Sequence, residues 1–276
     1  MSHLLFKITL LGYLAASCGY LVHIASGRCL AEKVGRWLIR GTFALHCSTL
    51  VLRFIEAGYT PVANLHESLS FFAWCITGIF LLFDLRYGLT VLGGFLSPLA
   101  LLLMVIGNAV PRQLAQPSPM LDSWWFPVHV SLAFLGNAIF ALAFIAGVMY
   151  LLQERMLKSK RLSAFFFRMP SLDTLDTLNY RCLTWGFPLM TMGIISGAAW
   201  ANSTWGSYWR WAPKETWALT SWFIYAALLH GRLAIGWRGR RAALLAIIGF
   251  LCLLFTFLGV NLLLPGPHSF EALSGR

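Results

Sequence analysis

The chain has 276 residues, of which 58% are hydrophobic and only 11% charged. A soluble domain carries about 25% charged residues, so this composition excludes one and places the chain in a bilayer. The net charge of +11 then reads as the loop-charge asymmetry of a membrane protein, not as a nucleic-acid-binding surface.

A spanning helix takes about 20 apolar residues. The apolar runs predict an all-α polytopic membrane protein with about eight transmembrane helices, over 4–24, 37–57, 67–84, 88–108, 127–152, 182–200, 216–234 and 242–264. The first run is too long for a signal peptide and is followed by further spans, so it reads as the first helix. No internal repeat is present, and residues 1–276 read as a single membrane domain.

The basic residues cluster in alternate links. Arg28, Lys33, Arg36 and Arg40 follow the first span, and Arg86 follows the third. Arg155, Lys158, Lys160, Arg161, Arg168 and Arg181 follow the fifth, and Arg232, Arg238, Arg240 and Arg241 the seventh. These links are expected to face the cytoplasm. Both termini and the loops 58–66, 109–126 and 201–215 are then expected on the outer side. The six cysteines are scattered without a CxxC pair, which fits small buried hydrophobes and gives neither a disulfide framework nor a zinc site.

Several local signals sit at the span ends. Asn64 suits an N-cap for the third span with Glu67 at N3, and in the second span Arg53 and Glu56 are spaced as an i,i+3 pair. Ser171 and Asp173 suit the cap of a short interfacial helix near Leu172–Arg181. At the seventh span Pro213 fits N1 and Glu215 fits N3, which makes Ala212 the N-cap. Alanine is a poor cap, about 1 kcal/mol worse than Asp or Ser.

The segment from Trp200 to Trp222 holds six of the twelve tryptophans. Its part 201–222 is expected to face outward. An interfacial aromatic belt is one reading. A flat binding platform built from Trp205, Trp209, Trp211 and Trp217, with Arg210 and Lys214 interleaved, is the other.

His129, near the start of the fifth span, and His268, just past the eighth, fall on the same predicted side as this loop. Two neutral imidazoles there suit the axial positions of a haem iron, with Arg210, Lys214 and Arg112 available for propionates. Each is equally readable as an interfacial histidine with a wet tip. His230 ends the seventh span. It lies fourteen residues beyond Thr216, about 21 Å along a helix, so it cannot share an iron with the other two. Its mate, if it is a ligand, is His23, His46 or a residue of another protein. His66 reads as part of the cap of the third span or as an outer-face ligand. No Ser-His-Asp set, Walker loop, dinucleotide fingerprint or HExxH motif occurs, and no dedicated catalytic acid or base is evident.

The segment WGSYWRWAPKETWAL resembles the tryptophan-rich WWD signature of haem-handling proteins of cytochrome c maturation. With VHVSLAFLG around His129, NLHESLSFFAW around His66, SWFIYAALLH around His230 and GVNLLLPGPHSF around His268, the chain is most similar to the CcsA/ResC-type family of System II. The resemblance implies a multi-pass protein of the bacterial cytoplasmic membrane that carries haem b outward. It implies a CcsB/ResB-like membrane partner and an apocytochrome c substrate whose CXXCH thiols join the haem vinyl groups. It assigns His129 and His268 to an external haem site under the tryptophan segment, and His230 to a transmembrane haem shared with the partner. One departure is Ala212, where the family has Asp. HemX-like membrane proteins of tetrapyrrole metabolism, which bind or regulate without synthase activity, are the alternative.

Overall fold

A computed structural model of the chain describes residues 1–111, 121, 123–160 and 163–260. Their regular structure is helical. The order is α1 (Ser2–Ser26), α2 (Cys29–Ala57), α3 (Leu65–Tyr87), a 3-10 turn (Thr90–Leu92) leading into α4 (Gly93–Ala109), α5 (Trp125–Lys158), α6 (Ala164–Arg168), α7 (Leu172–Trp205), α8 (Pro213–His230) and α9 (Arg240–Leu254). α8 and α9 each run on into a π turn, Gly231–Ile235 and Phe255–Gly259. Eight helical segments among the described residues are long and apolar enough to cross a membrane. All eight overlap the spans expected from the sequence.

The largest difference is at α7. The expected short helix near Leu172–Arg181 does not end there but continues to Trp205. Ser171 does cap its start, accepting from the Thr174 N–H at 3.2 Å. Beyond Arg181 the helix runs through Gly186 and Pro188 without stopping, and extending a helix is far easier than nucleating another. Leu175, Leu178 and Asn179 are buried, so the segment packs into the bundle instead of lying on an interface. Pro188 lies within α7.

The helices alternate in direction and fall into two groups. α1, α2, α3 and α4 form one. In the other, α5 packs on α7 and α9, and α9 on α8. α3 against α5 joins them. Small residues let the second group approach closely: a Cβ on Gly136 would lie 3.2 Å from the Met190 nitrogen, and one on Gly147 3.0 Å from the Ala243 carbonyl.

Polar groups inside the first group are bonded to one another. Tyr13 Oη lies 3.0 Å from both His46 Nδ1 and Thr77 Oγ1, and His46 Nε2 lies 3.0 Å from Ser70 Oγ. Both ring nitrogens of His46 are thus engaged. His23 Nδ1–H donates to the Arg28 carbonyl at 3.2 Å.

At the bundle end that carries the tryptophans, Asn64 caps α3 by accepting from the Glu67 N–H at 2.8 Å, as expected. The spacing-based Arg53–Glu56 pair does not form. Arg53 instead reaches Glu67, at 2.6 Å from Nη2 to Oε1, and Glu56 takes the terminal amine of Met1 at 3.0 Å. A buried carboxylate has the stronger demand for a cation, and the Glu67 side chain is 1% exposed.

Candidate functional site

α7 closes at Gly206, whose φ of 73° is left-handed and lets its N–H reach the Asn202 carbonyl. The chain then turns through 207–212 and enters α8 at Pro213. Ala212 is the N-cap, as expected, and its methyl group accepts nothing. The carboxylate of Glu215 closes the turn from the other direction, its Oε2 accepting from the N–H of Arg210 at 2.9 Å and of Ala212 at 3.2 Å. Trp211 between them has φ 57°, a conformation that costs a non-glycine residue on the order of 1–3 kcal/mol and clusters at functional sites.

Beneath this turn lies a cavity of about 200 Å³. Its walls come from both helix groups. Val62 contributes from the loop before α3, Ser68 from the first turn of α3, His129 and Phe134 from α5, Gly193, Gly197 and Trp200 from α7, Lys214 and Glu215 from α8, and Thr256 and Phe257 from the second π turn. Tyr208 and Trp209 line it from the loop. Ligand pockets run about 300–1,000 Å³, so this one is too small to enclose a large ligand whole.

His129 is the chemically defined group in the wall. Its Nδ1 lies 2.8 Å from the Gly193 carbonyl. A carbonyl only accepts, so Nδ1 carries the proton and Nε2 keeps its lone pair, the tautomer a metal-ligating imidazole needs. The ring stacks on Trp200 with centroids 6.0 Å apart and planes 12° from parallel. Gly197 makes room for it, since a Cβ there would lie 2.7 Å from Cε1. Three buried polar atoms in and beside this region have no hydrogen-bond partner among the described residues: Trp209 Nε1, Glu215 Oε1 and Thr204 Oγ1. Such groups are costly when buried unsatisfied.

The other residues singled out in the sequence divide by position. Trp209 and Lys214 join His129 in the wall. Trp205 flanks it, edge-on to Trp200 at 5.1 Å and covered by the Arg210 guanidinium at 4.2 Å. Trp211 is 69% exposed beside Trp209, and Trp217 packs on Phe255 at 4.6 Å, outside the cavity lining. His66 turns away, with Nδ1 2.8 Å from the Gly107 carbonyl and its ring on Phe6. His230 stands exposed at the other end of α8. His268 and Arg112 lie outside the described residues. Sequence reasoning placed Glu215 at N3 but missed the roles of Trp200, Gly193 and Gly197. The i,i+4 spacing of Gly193, Gly197 and Ala201 was the available signal of a face shaved for close approach.

The sequence model of the family described as Cytochrome C assembly protein matches residues 62–268. Among curated proteins the chain is 39% identical over 230 residues to the cytochrome c biogenesis protein CcsA of Chlamydomonas reinhardtii, covering 80% of this chain and 64% of that one. It is 36% identical over 253 residues to CcsA of Guillardia theta, covering 83% and 84%. A solved structure of the cytochrome c haem lyase CcmF superposes on the whole chain with a TM-score of 0.66 at 18% identity, over 49% of the lyase. That likeness shows a shared fold, and this chain spans about half the lyase's length. The eight apolar helices, the tryptophan turn and the relatives agree: the chain belongs to the cytochrome c assembly protein family, alongside the CcsA cytochrome c biogenesis proteins.

Proposed function

We propose that this protein acts in cytochrome c biogenesis by holding haem b at its tryptophan end and presenting it to apocytochrome c, as the CcsA-like subunit of a cytochrome c synthase with a CcsB/ResB-like partner. The observation that carries the reading is His129: its Nδ1 proton is fixed on Gly193 and its Nε2 lone pair remains, in a cavity roofed by Trp209 with Lys214 in its wall. His129 and His268 are the proposed axial ligands. Trp205, Trp209 and Trp211 form the platform with Trp217 at its margin, and Lys214 and Arg210 serve the propionates. His230, too distant for this site, holds a second haem on the flank of the bundle.

The chemistry asked of the protein is positional. Addition of a substrate thiol S–H across a haem vinyl C=C makes one C–S and one C–H bond and needs no leaving group. Holding the vinyl edge at the mouth of a cavity too small for the macrocycle brings it to the arriving CXXCH thiols. The termini and the tryptophan turn face outward in this reading, and the protein spans the bacterial cytoplasmic membrane. Ala212 leaves the first turn of α8 without a side-chain cap, while Glu215 still fixes the preceding turn through the Arg210 and Ala212 N–H groups.

The test is co-expression with a CcsB/ResB-like partner and an apocytochrome c reporter, scored for covalent haem. The chain is expected to support attachment and His129→Gly to abolish it. No covalent haem with the unaltered chain would favour a HemX-like role, and undiminished attachment in His129→Gly would remove the external-site assignment.

A further inference from the structure

The reversal from α8 to α9 is held by more than a connecting turn requires. The Arg232 guanidinium forks onto the Asp176 carboxylate of α7, with Nη1–Oδ1 3.0 Å and Nη2–Oδ2 2.8 Å. The same carboxylate accepts from the Gly239 N–H at 2.7 Å, and Arg232 also lies over the Tyr180 ring at 4.9 Å. Arg232 is 6% exposed and Asp176 14%. Gly231 opens the π turn that carries Arg232, and its carbonyl accepts from the Trp237 N–H at 2.9 Å. A Cβ at Gly231 would sit 2.3 Å from the Trp237 ring.

This clamp stands two residues from His230. The body of α8 is held by buried Ser221, Tyr225 and Leu228, with the Tyr225 ring stacked on Phe140 at 3.6 Å and the Trp222 Nε1–H donating to Thr191 Oγ1 at 2.9 Å. The clamp adds a polar tie to α7 just past the last turn, which carries His230. Two residues turn a helix by about 200°, so Arg232 drawn inward to α7 drives His230 outward. His230 is exposed, and no hydrogen bond joins it to the described residues. π turns in helices are frequent at functional sites.

We infer that Asp176 and Arg232 are positioning residues that set the azimuth of the last turn of α8, so that the His230 imidazole is presented on the flank of the bundle toward a ligand shared with a second chain. The inference rests on the proposed reading of His230 as a haem ligand. Removing either charge leaves the other buried and frees the end of α8 to rotate, while Arg232→Lys keeps the charge and loses the planar fork.

The experiment measures haem per chain and the reduced visible spectrum of the full-length protein purified with its partner. A His129→Gly background restricts the signal to haem held through His230. Asp176→Asn and Arg232→Lys are each expected to lose half or more of that haem and its two-histidine spectrum. Asp176→Glu, which keeps a carboxylate for both Arg232 and the Gly239 N–H, is expected to keep it. A clamp that merely supported the fold would lower yield and melting temperature without changing haem per surviving chain, and that result in either variant overturns the inference. Undiminished haem in His230→Gly would overturn instead the assignment of His230 on which it rests.

Discussion

A histidine ring has two nitrogens, and the packing of α5 on α7 uses one of them. Gly193 contributes its carbonyl and Gly197 the space, one helical turn apart, so the His129 ring lies flat against Trp200 with one nitrogen committed. Gly197→Ala is therefore expected to disturb the ring while leaving the helix intact, since alanine has the better helix propensity. Haem-loaded protein should show a weakened or shifted Soret band with helical circular dichroism unchanged; an unaltered band would mean that the ring does not touch the ligand. The tryptophan turn offers a second test. Glu215→Ala removes the acceptor of two backbone N–H groups, and each such loss costs on the order of 1 kcal/mol. The turn should loosen, read as a red shift of tryptophan emission and faster proteolysis between 206 and 212. Ala212→Asp supplies the missing cap and is expected to raise stability by about 1 kcal/mol, measured as a higher melting temperature in detergent.

Among the elements, the spans were legible in the sequence because a bilayer permits little else, every backbone group having to be satisfied within its own segment. The helix starts at Asn64, Ser171 and Pro213 were legible for a similar reason, since the signals that set them are local. What could not be read were partners set by packing. Arg53 and Glu56 are three apart on one helix, yet each pairs with a residue distant in sequence. Helix periodicity also says nothing of whether Leu172–Arg181 joins the next span, because the deciding contacts belong to other helices. The Arg53–Glu67 pair tests this distinction. Breaking a buried pair from one side costs on the order of 3–5 kcal/mol, whereas replacing both members with apolar or neutral groups of similar size is often close to neutral. Arg53→Met alone is expected to lower the melting temperature sharply, and Arg53→Met with Glu67→Gln to recover most of the loss. Equal losses in the two proteins would show that the pair does not act as a unit in holding the Val62–Ser68 wall of the cavity.

At the scale of the whole molecule, the alternating helices put the tryptophan turn at one end of the bundle and most of the basic links at the other. Arg36, Arg168 and Arg232 at the basic end are engaged with Glu32, the carbonyls of α1 and Asp176. Retention of basic links in the cytoplasm sets the orientation expected of such a chain. Alkaline phosphatase, which folds to activity only outside the cytoplasm, should therefore be active when inserted after Ser207 and inactive after Ser159, and the reverse would turn the proposed haem site inward. Arg210 and Lys214 run against this bias, being cations on the end where cations are disfavoured. Their positions account for them, one stacked over Trp205 and the other in the cavity wall. Charges kept for a ligand and charges kept for orientation separate under mutation. Lys214→Gln should leave both phosphatase readings unchanged and reduce the haem that co-purifies, because it removes a cation from the site and none from the retained links. A change in orientation without loss of haem would assign Lys214 to topology instead of to the cavity.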